Sequence, residues 1–133
     1  MSHASLPLLQ LCDSAIEAAR EAGQFIQRAD RSKLQRNFKA AGSSAASQLV
    51  TEVDLRSEAI ICAQLQESCE HWDIAFIGEE SVESAPGVTP ERLRRPYFWC
   101  VDPLDGTLPF SEGKPGYAVS IALVDRSGCP LIG

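Results

Sequence analysis

A long repeat of apolar residues near the start of the chain constrains its fold most strongly. Between Leu8 and Ile26, apolar residues recur at steps of three and four, the spacing that places them on one face of an α-helix. Ser5 and Pro7 are residue types that favour the start of a helix, and the pattern predicts that this helix ends near Ala29. The 133 residues of the chain suffice for a single domain whose core buries this face.

A second amphipathic helix is predicted from Asp54 to about Cys69. Apolar and small residues at helical spacing are predicted to form its inward face, namely Leu55, Ala59, Cys62, Ala63 and Leu65. Between the two helices, Leu34 to Lys39 is predicted to form a short strand. The small residues from Ala40 to Ser47 are predicted to form a mobile loop.

Shorter apolar runs in the second half of the chain predict strands. They are Ile74 to Ile77, Tyr97 to Val101, Tyr117 to Val124 and, after a hairpin turn at Asp125 to Gly128, Pro130 to Gly133. Together with the helices, these runs predict an α+β fold in which two helices pack on a largely antiparallel sheet. The chain ends inside the last predicted strand, so we expect the sequence to be an excerpt of a longer protein.

Charge and cysteine content exclude several classes of protein. The chain has 12 Lys and Arg residues against 18 Asp and Glu, a net charge of −6, so it is predicted to bind neither a nucleic-acid polymer nor an anionic membrane. No apolar stretch approaches the roughly 18 residues that a membrane helix needs. The five scattered cysteines suit neither a disulfide framework nor a zinc site, which favours a reducing cytoplasm.

The most informative acidic residues stand at the ends of predicted elements. Glu79 and Glu80 follow one strand, Asp102 and Asp105 follow another, and Asp54 opens the second helix. If the strand ends are neighbours in one sheet, two carboxylates 4 to 5 Å apart repel by about 3 to 4 kcal/mol. Such a group must take up protons or recruit a cation, and an all-oxygen set favours Mg²⁺ over Zn²⁺. Taken singly, each acid is more simply interpreted as a solvated loop residue, because exposed acids are the norm.

The turn from Asp102 to Thr107 strengthens the case for a metal site. Pro103 stiffens this turn, so both of its aspartates can point to one side. Gly106 allows the backbone to approach a ligand closely, and Thr107 to Pro109 is typical of the start of a short helix. Because a helix start offers N–H groups to phosphate, the turn combines the two parts that metal-assisted phosphoester hydrolysis requires.

Three segments resemble the inositol monophosphatase family of Mg²⁺-dependent, Li⁺-sensitive phosphatases. Residues 99–107, Trp-Cys-Val-Asp-Pro-Leu-Asp-Gly-Thr, are similar to the family's signature. Residues 49–54 resemble its V-T-x-x-D motif and residues 76–81 its I-G-E-E-S motif. The resemblance implies that residues 1–133 form the N-terminal, metal-binding half of a layered α/β/α/β/α sandwich, and that the protein is a homodimer.

The resemblance also implies two or three Mg²⁺ ions and their ligands. Glu79 and Asp102, with the backbone carbonyl of Leu104, would hold the first ion and its water. Asp102 and Asp105 would share the second ion. Glu79 and, less strongly, Glu80 would hold a third, looser ion.

Catalytic and phosphate-binding roles follow from the same resemblance. Thr107, hydrogen-bonded to Asp54, would orient and deprotonate the attacking water, which Glu79 also positions. Asp105 and the N–H groups of Gly106 and Thr107 would contact the phosphate. Leu108-Pro109-Phe110 departs from the Asn-Phe pair that often follows in the family, so substrate contacts are expected to differ there.

These implications define the expected activity and two alternatives. The complete protein is expected to hydrolyse a small phosphate monoester, such as an inositol phosphate or a related sugar or nucleotide phosphate. A 3′(2′),5′-bisphosphate nucleotidase of the same superfamily is one alternative. A non-catalytic metal-binding module is the other, because a later Trp-Asp motif of the family would lie beyond Gly133. The fragment alone is therefore expected to be inactive.

Overall fold

The computed structural model describes residues 5–29, 43–78 and 91–133. These residues form four helices and four strands: α1 (Leu8–Arg28), α2 (Ser43–Trp72), β1 (Ile74–Gly78), α3 (Glu91–Arg94), β2 (Tyr97–Asp105), α4 (Thr107–Ser111), β3 (Ala118–Asp125) and β4 (Pro130–Ile132). The prediction of an α+β fold is confirmed.

The predicted first helix is confirmed, and the second helix begins earlier than predicted. Helix α1 ends at Arg28, one residue before the expected limit. Helix α2 starts at Ser43, so the prediction of a loop as far as Ser47 is wrong from Ser43 onward. Alanine has the highest intrinsic helix propensity, which suits Ala45 and Ala46 to a helix as well as to a loop. The strand predicted from Leu34 to Lys39 lies outside the described residues.

The inward face of α2 differs from the predicted one. Leu65 is fully buried as expected, whereas Leu55 is 48% exposed and the small residues Ala59 and Ala63 are exposed. The buried residues of this helix are Asp54, Ser57, Ile61 and Leu65. Two polar residues therefore occupy core positions that hydrophobicity alone assigns to neighbouring apolar residues.

The four strands form one mixed sheet in the order β1-β2-β3-β4. Strand β1 is parallel to β2, and the pairing places Gly78 opposite Val101. The other two pairs, β2 with β3 and β3 with β4, are antiparallel. The prediction of a largely antiparallel sheet is therefore confirmed, and its one parallel pair brings the C-terminal ends of β1 and β2 to the same edge.

The main core lies between one face of this sheet and the helices α1 and α2. Trp99 of β2 and Leu123 of β3 are fully buried there against Ala18 of α1. The indole N–H of Trp99 donates to Ser68 Oγ at 3.0 Å, and Ser68 Oγ donates to the Leu65 carbonyl at 2.6 Å. The buried tryptophan therefore leaves no polar atom without a partner.

A second, smaller core lies beside the end of β2. Ile26 of α1, Leu104 of β2 and Phe110 of α4 are each no more than 1% exposed in this cluster. Val53 of α2 packs against it. The turn that carries the predicted aspartates is thus attached to both long helices.

No helix in the described part of the chain combines the length and the apolar character needed to cross a bilayer.

A carboxylate organises the predicted hairpin between β3 and β4. Oδ1 of Asp125 accepts hydrogen bonds from the N–H of Ser127 at 2.9 Å, the hydroxyl of Ser127 at 2.6 Å and the N–H of Cys129 at 3.0 Å. These bonds stabilise the ionised carboxylate and lower the pKa of Asp125, the Ser127 hydroxyl contributing most.

The hairpin is therefore expected to loosen in acid. Because the folded pKa is lowered, the stabilisation is complete above the ordinary aspartate pKa and is lost as the pH falls through the folded value. The protection factor of the Cys129 amide, measured by NMR hydrogen exchange alongside the titration of the Asp125 carboxyl, should fall in step with protonation. An Asp125→Asn variant should show no such step. A protection factor of Cys129 that stays constant while Asp125 is protonated would contradict this assignment.

Candidate metal and phosphate site

An irregularity in the sheet creates the turn at the end of β2. Asp102 pairs with Ser120 and Asp105 pairs with Ala118, so three steps along β2 oppose two steps along β3. The extra residue is the mark of a β-bulge, which bends a strand and redirects its side chains. Pro103 lacks an N–H to offer the ladder, so it suits a bulge. Strand β2 therefore continues to Asp105 rather than stopping at Asp102 as predicted.

Hydrogen bonding and burial fix the conformation of this turn. The N–H of Leu104 donates to Oδ1 of Asp102 at 3.2 Å, a local bond typical of aspartate in turns. Pro103 and Leu104 are almost fully buried, whereas Asp102 is half-buried and Asp105 is exposed. The apolar side chains are thus inserted into the protein, and the carboxylates lie toward its surface.

A hydrogen bond from helix α2 supports the same turn. The hydroxyl of Ser57, which is fully buried, donates to the carbonyl of Pro103 at 2.8 Å. A buried carbonyl without a hydrogen-bond partner lowers the stability of the fold. The bond from Ser57 therefore holds the Pro103 carbonyl against helix α2. Ser57 was not among the residues predicted for the site, although it lies three positions after Asp54 and therefore on the same helical face.

Gly106 connects the turn to α4 by a close backbone contact. Its φ of +88° is in the left-handed region, and a Cβ built on it would lie 2.5 Å from the carbonyl oxygen of Gly116 and 3.0 Å from Cα of Tyr117. No other residue type fits both the conformation and the space. In the structure the close contact is with the protein's own backbone; the close approach of a ligand to Gly106 stays a prediction.

The short helix α4 begins where the sequence predicted. Gly106 precedes it, and the Gly106 carbonyl accepts from the N–H of Phe110 at 3.2 Å. Phe110 is fully buried and stacks edge-on against Tyr117 with ring centroids 5.4 Å apart. Leu108, by contrast, is 68% exposed. Residues 108–110, which depart from the family pattern, therefore contribute a buried ring, Phe110, and an apolar surface side chain, Leu108.

Asp54 and Glu58 lie one turn apart on the inner face of α2. Asp54 is 8% exposed, and its Oδ1 atom is shielded from solvent. The carboxyl group of Glu58 lies against Gly78 at the end of β1. Burial, with a further contribution from the charge of Glu58, raises the pKa of the Cys62 thiol one turn further along. Helix α2 thus carries two carboxyl groups one turn apart, and that of Glu58 lies at the end of β1.

Five of the predicted site residues are sequence neighbours and lie along one turn of the structure. Asp102, Leu104, Asp105, Gly106 and Thr107 are consecutive or nearly so around the end of β2. The bond between Thr107 and Asp54 remains a prediction; Thr107 is exposed and Asp54 is buried.

The remaining predicted ligands, Glu79 and Glu80, lie outside the described residues. Within residues 5–29, 43–78 and 91–133, no group of three or more His, Cys, Asp or Glu side chains could hold a metal ion. Gly78, the residue before Glu79, lies opposite Val101, the residue before Asp102.

The donors on the turn fit a hard divalent cation in their chemistry. Asp102 and Asp105 offer carboxylate oxygens and Leu104 offers a backbone carbonyl, the oxygen ligands that Mg²⁺ takes in proteins. The first-turn N–H groups of α4 lie directly beside them. The turn thus carries oxygen donors and backbone N–H groups side by side.

Comparison with known proteins assigns the family. The model of the inositol monophosphatase family matches residues 8–133, and the chain belongs to that family. Inositol monophosphatase 1 of Sus scrofa is 34% identical over 122 residues, which are 92% of this chain and 41% of that protein. The chain thus spans about two-fifths of the length of the curated relatives it matches.

Solved structures of the family share the fold. The crystal structure of CysQ from Bacteroides thetaiotaomicron, a bacterial member of the inositol monophosphatase family, is 27% identical with a TM-score of 0.64, over 91% of this chain and 40% of that one. A 2′AMP-bound SaIMPase-II is 26% identical with a TM-score of 0.59, over 91% of this chain and 38% of that one.

Replacing Gly106 tests the close contact beneath the turn. Gly106→Ala should destabilise the protein by about 1 to 2 kcal/mol for the left-handed backbone and by a further ~1 to 3 kcal/mol for the clash with Gly116. Gly128→Ala is the matched control, because its φ is +93° but nothing lies within 4 Å of an added Cβ. Urea unfolding of both variants should separate the two contributions. Equal losses would show that the clash is relieved without cost.

Removing the Ser57 hydroxyl tests the bond that supports the turn. Ser57→Ala should lower the free energy of unfolding by about 1 to 3 kcal/mol, because the buried Pro103 carbonyl loses its donor. Ser111→Ala is the control; it removes a solvent-exposed hydroxyl that donates to the Leu108 carbonyl at 2.8 Å and should change stability by less than about 0.5 kcal/mol. Chemical denaturation measures both, and similar small losses would contradict the supporting role.

Proposed function

We propose that this chain forms the metal- and phosphate-binding part of a Mg²⁺-dependent phosphatase that hydrolyses a small phosphate monoester. One observation carries the proposal: the parallel register that sets Gly78 opposite Val101. Because β1 ends at Gly78 beside Val101, it ends next to the part of β2 that carries Asp102 and Asp105, which supports a shared metal site. Membership of the inositol monophosphatase family supports the same reaction class.

The proposed ligands are oxygen donors from the ends of both strands. Glu79, Asp102 and the carbonyl of Leu104 would hold one Mg²⁺, Asp102 and Asp105 a second, and Glu79 with Glu80 a third. When bound, Mg²⁺ lowers the pKa of a coordinated water and stabilises charge on phosphate oxygens. Inhibition by Li⁺ belongs to the same proposal.

The chain's own residues have the remaining roles. The Thr107 hydroxyl would orient the attacking water and pass a proton to the carboxylate of Asp54, which burial shields from solvent. A general acid–base pair of this kind contributes about 10²- to 10⁴-fold to a rate. Asp105 and the N–H groups of Gly106 and Thr107 would orient the phosphate. The bulge and the Ser57 bond support this proposal, because they would keep the turn in one conformation before substrate arrives.

The substrate class is a small phosphate monoester of an inositol, another sugar or a nucleotide. The exposed Leu108 offers an apolar contact beside the phosphate position. The relative that is bound to 2′AMP favours including nucleotides, and with them the 3′(2′),5′-bisphosphate nucleotidase alternative. We further propose that the protein works as a homodimer in the cytoplasm.

A metal-binding module without turnover is the second candidate. It is favoured by the oxygen donors of Asp102, Leu104 and Asp105 on one turn, which suit a hard cation whether or not turnover follows. The two candidates differ in one result: a module takes up Mg²⁺ but releases no phosphate from any ester. Assays of inositol monophosphate and 2′AMP hydrolysis beside a Mg²⁺ titration therefore separate them.

Asp102 is the residue whose loss should harm activity most, because it would serve two ions. Asp102→Asn in the protein that carries this chain should abolish Mg²⁺-dependent phosphate release, with a drop of more than about 100-fold. Asp13→Asn, at an exposed position of α1, is the control and should keep full activity. Phosphate release is measured at saturating Mg²⁺, and substantial turnover by Asp102→Asn would count decisively against the proposed site.

A further inference from the structure

The peptide group between Pro103 and Leu104 is held by a hydrogen bond at each end. Its carbonyl oxygen accepts from the hydroxyl of Ser57 at 2.8 Å, and its N–H donates to Oδ1 of Asp102 at 3.2 Å. Because a peptide group is planar, two bonds on opposite sides of its C–N bond determine how the plane is turned. One residue of α2 and one residue of β2 therefore set the orientation of this peptide.

The bulge makes both bonds possible, because it takes this peptide out of the ladder. In the register of β2 with β3, Asp102 and Asp105 have partners and the two residues between them have none. The Pro103 carbonyl can therefore turn toward α2, where Ser57 is fully buried. A serine inside a helix often donates its one hydroxyl proton to a carbonyl of its own helix. Ser57 instead donates it to a strand 46 residues away in the sequence.

The same peptide connects Ser57 to the carboxylate of Asp102. Hydrogen bonds that share a peptide group polarise one another, so a donor on the carbonyl strengthens the N–H as a donor. Among the described residues, the Leu104 N–H is the one hydrogen-bond donor to the Asp102 side chain. Because that bond uses Oδ1 and Asp102 is only half-buried, Oδ2 is the oxygen left to bind a cation.

We propose that Ser57 is a positioning residue for cation binding: through the Pro103–Leu104 peptide it holds the Asp102 carboxylate in the orientation that offers Oδ2 to a divalent cation. The inference rests on the proposed function, in which Asp102 is a metal ligand. It concerns only residues of α2 and β2 that the structure describes. Groups that orient a metal ligand from outside typically change metal affinity by about 10- to 100-fold when they are removed.

Metal affinity separates this role from a purely structural one. Mn²⁺, which suits the same oxygen ligands as Mg²⁺, is titrated into the protein that carries this chain, and free ion is measured by electron paramagnetic resonance. Ser57→Ala should weaken Mn²⁺ binding by about tenfold or more. Ser57→Cys nearly keeps the shape of the side chain but is a weak donor, so it should weaken Mn²⁺ binding almost as much.

Ser68→Ala is the matched control on the same helix. The Ser68 hydroxyl also donates to a carbonyl, that of Leu65 at 2.6 Å, and accepts from the indole of Trp99 at 3.0 Å. Its loss should lower the stability of the protein and leave Mn²⁺ affinity unchanged, because its bonds lie in the main core rather than on the aspartate turn. Near-ultraviolet circular dichroism verifies native packing in each variant.

The Leu104 amide proton provides a second measurement, which needs no metal. An amide proton in a stronger hydrogen bond resonates further downfield in NMR spectra. In the metal-free protein, Ser57→Ala should therefore shift this proton upfield and reduce its protection from exchange, since the Pro103 carbonyl no longer has a donor. Ser68→Ala should leave both values unchanged.

The outcomes distinguish the two proposals. If the unsubstituted protein binds no Mn²⁺, the proposed function is overturned and the positioning role falls with it. If it binds Mn²⁺ and both Ser57 variants bind equally well, only the positioning role is overturned. Full affinity in Ser57→Cys alone would also overturn it, because shape rather than the hydrogen bond would then account for the effect. So would an equal loss in Ser68→Ala. A Leu104 amide that Ser57→Ala leaves unchanged would contradict the connection between the two bonds.

Discussion

The parallel pairing of β1 with β2 is the constraint on which the rest of the site depends. Antiparallel neighbours would send the ends of these strands to opposite edges of the sheet. Here Gly78, the last residue of β1, is the partner of Val101, so β1 ends beside the part of β2 that carries Asp102 and Asp105. Every proposed metal ligand except the carbonyl of Leu104 is an acidic residue that follows one of these two positions closely. The electrostatic cost of gathering them is what a divalent cation would offset.

The inner face of helix α2 is unusual because it carries polar residues near the strand ends and apolar residues in the core. Ile61 and Leu65 make ordinary apolar contacts deeper in the protein, whereas Asp54, Ser57 and Glu58 turn polar groups toward the strand ends. Burying such groups is unfavourable unless each has a partner. The bond from Ser57 to the Pro103 carbonyl shows how one of them is satisfied, and it joins the helix to the aspartate turn.

The sequence predicted the positions of most helices and strands better than it predicted which of their residues are buried. Strong periodicity and turn residues located α1, the strands and the hairpin at Asp125 within a few residues. The same logic assigned Leu55 to the core, where the structure has it 48% exposed, because hydrophobicity cannot anticipate that Asp54 and Ser57 are needed inside. The motif from Asp102 to Thr107 identified the turn, but not the bulge, the Gly106–Gly116 contact or the Glu58–Gly78 contact. Those depend on which residues meet across elements, and no local pattern encodes them.

The central claim is that carboxylates from the ends of β1 and β2 surround a divalent cation. A crystal soaked in Mn²⁺ and measured at the manganese absorption edge tests it most directly. The account predicts an anomalous peak within coordination distance of both Asp102 and Asp105 and of an acidic residue that follows Gly78. An ordered crystal in which Mn²⁺ binds only elsewhere, with Asp102 and Asp105 facing solvent, would contradict it.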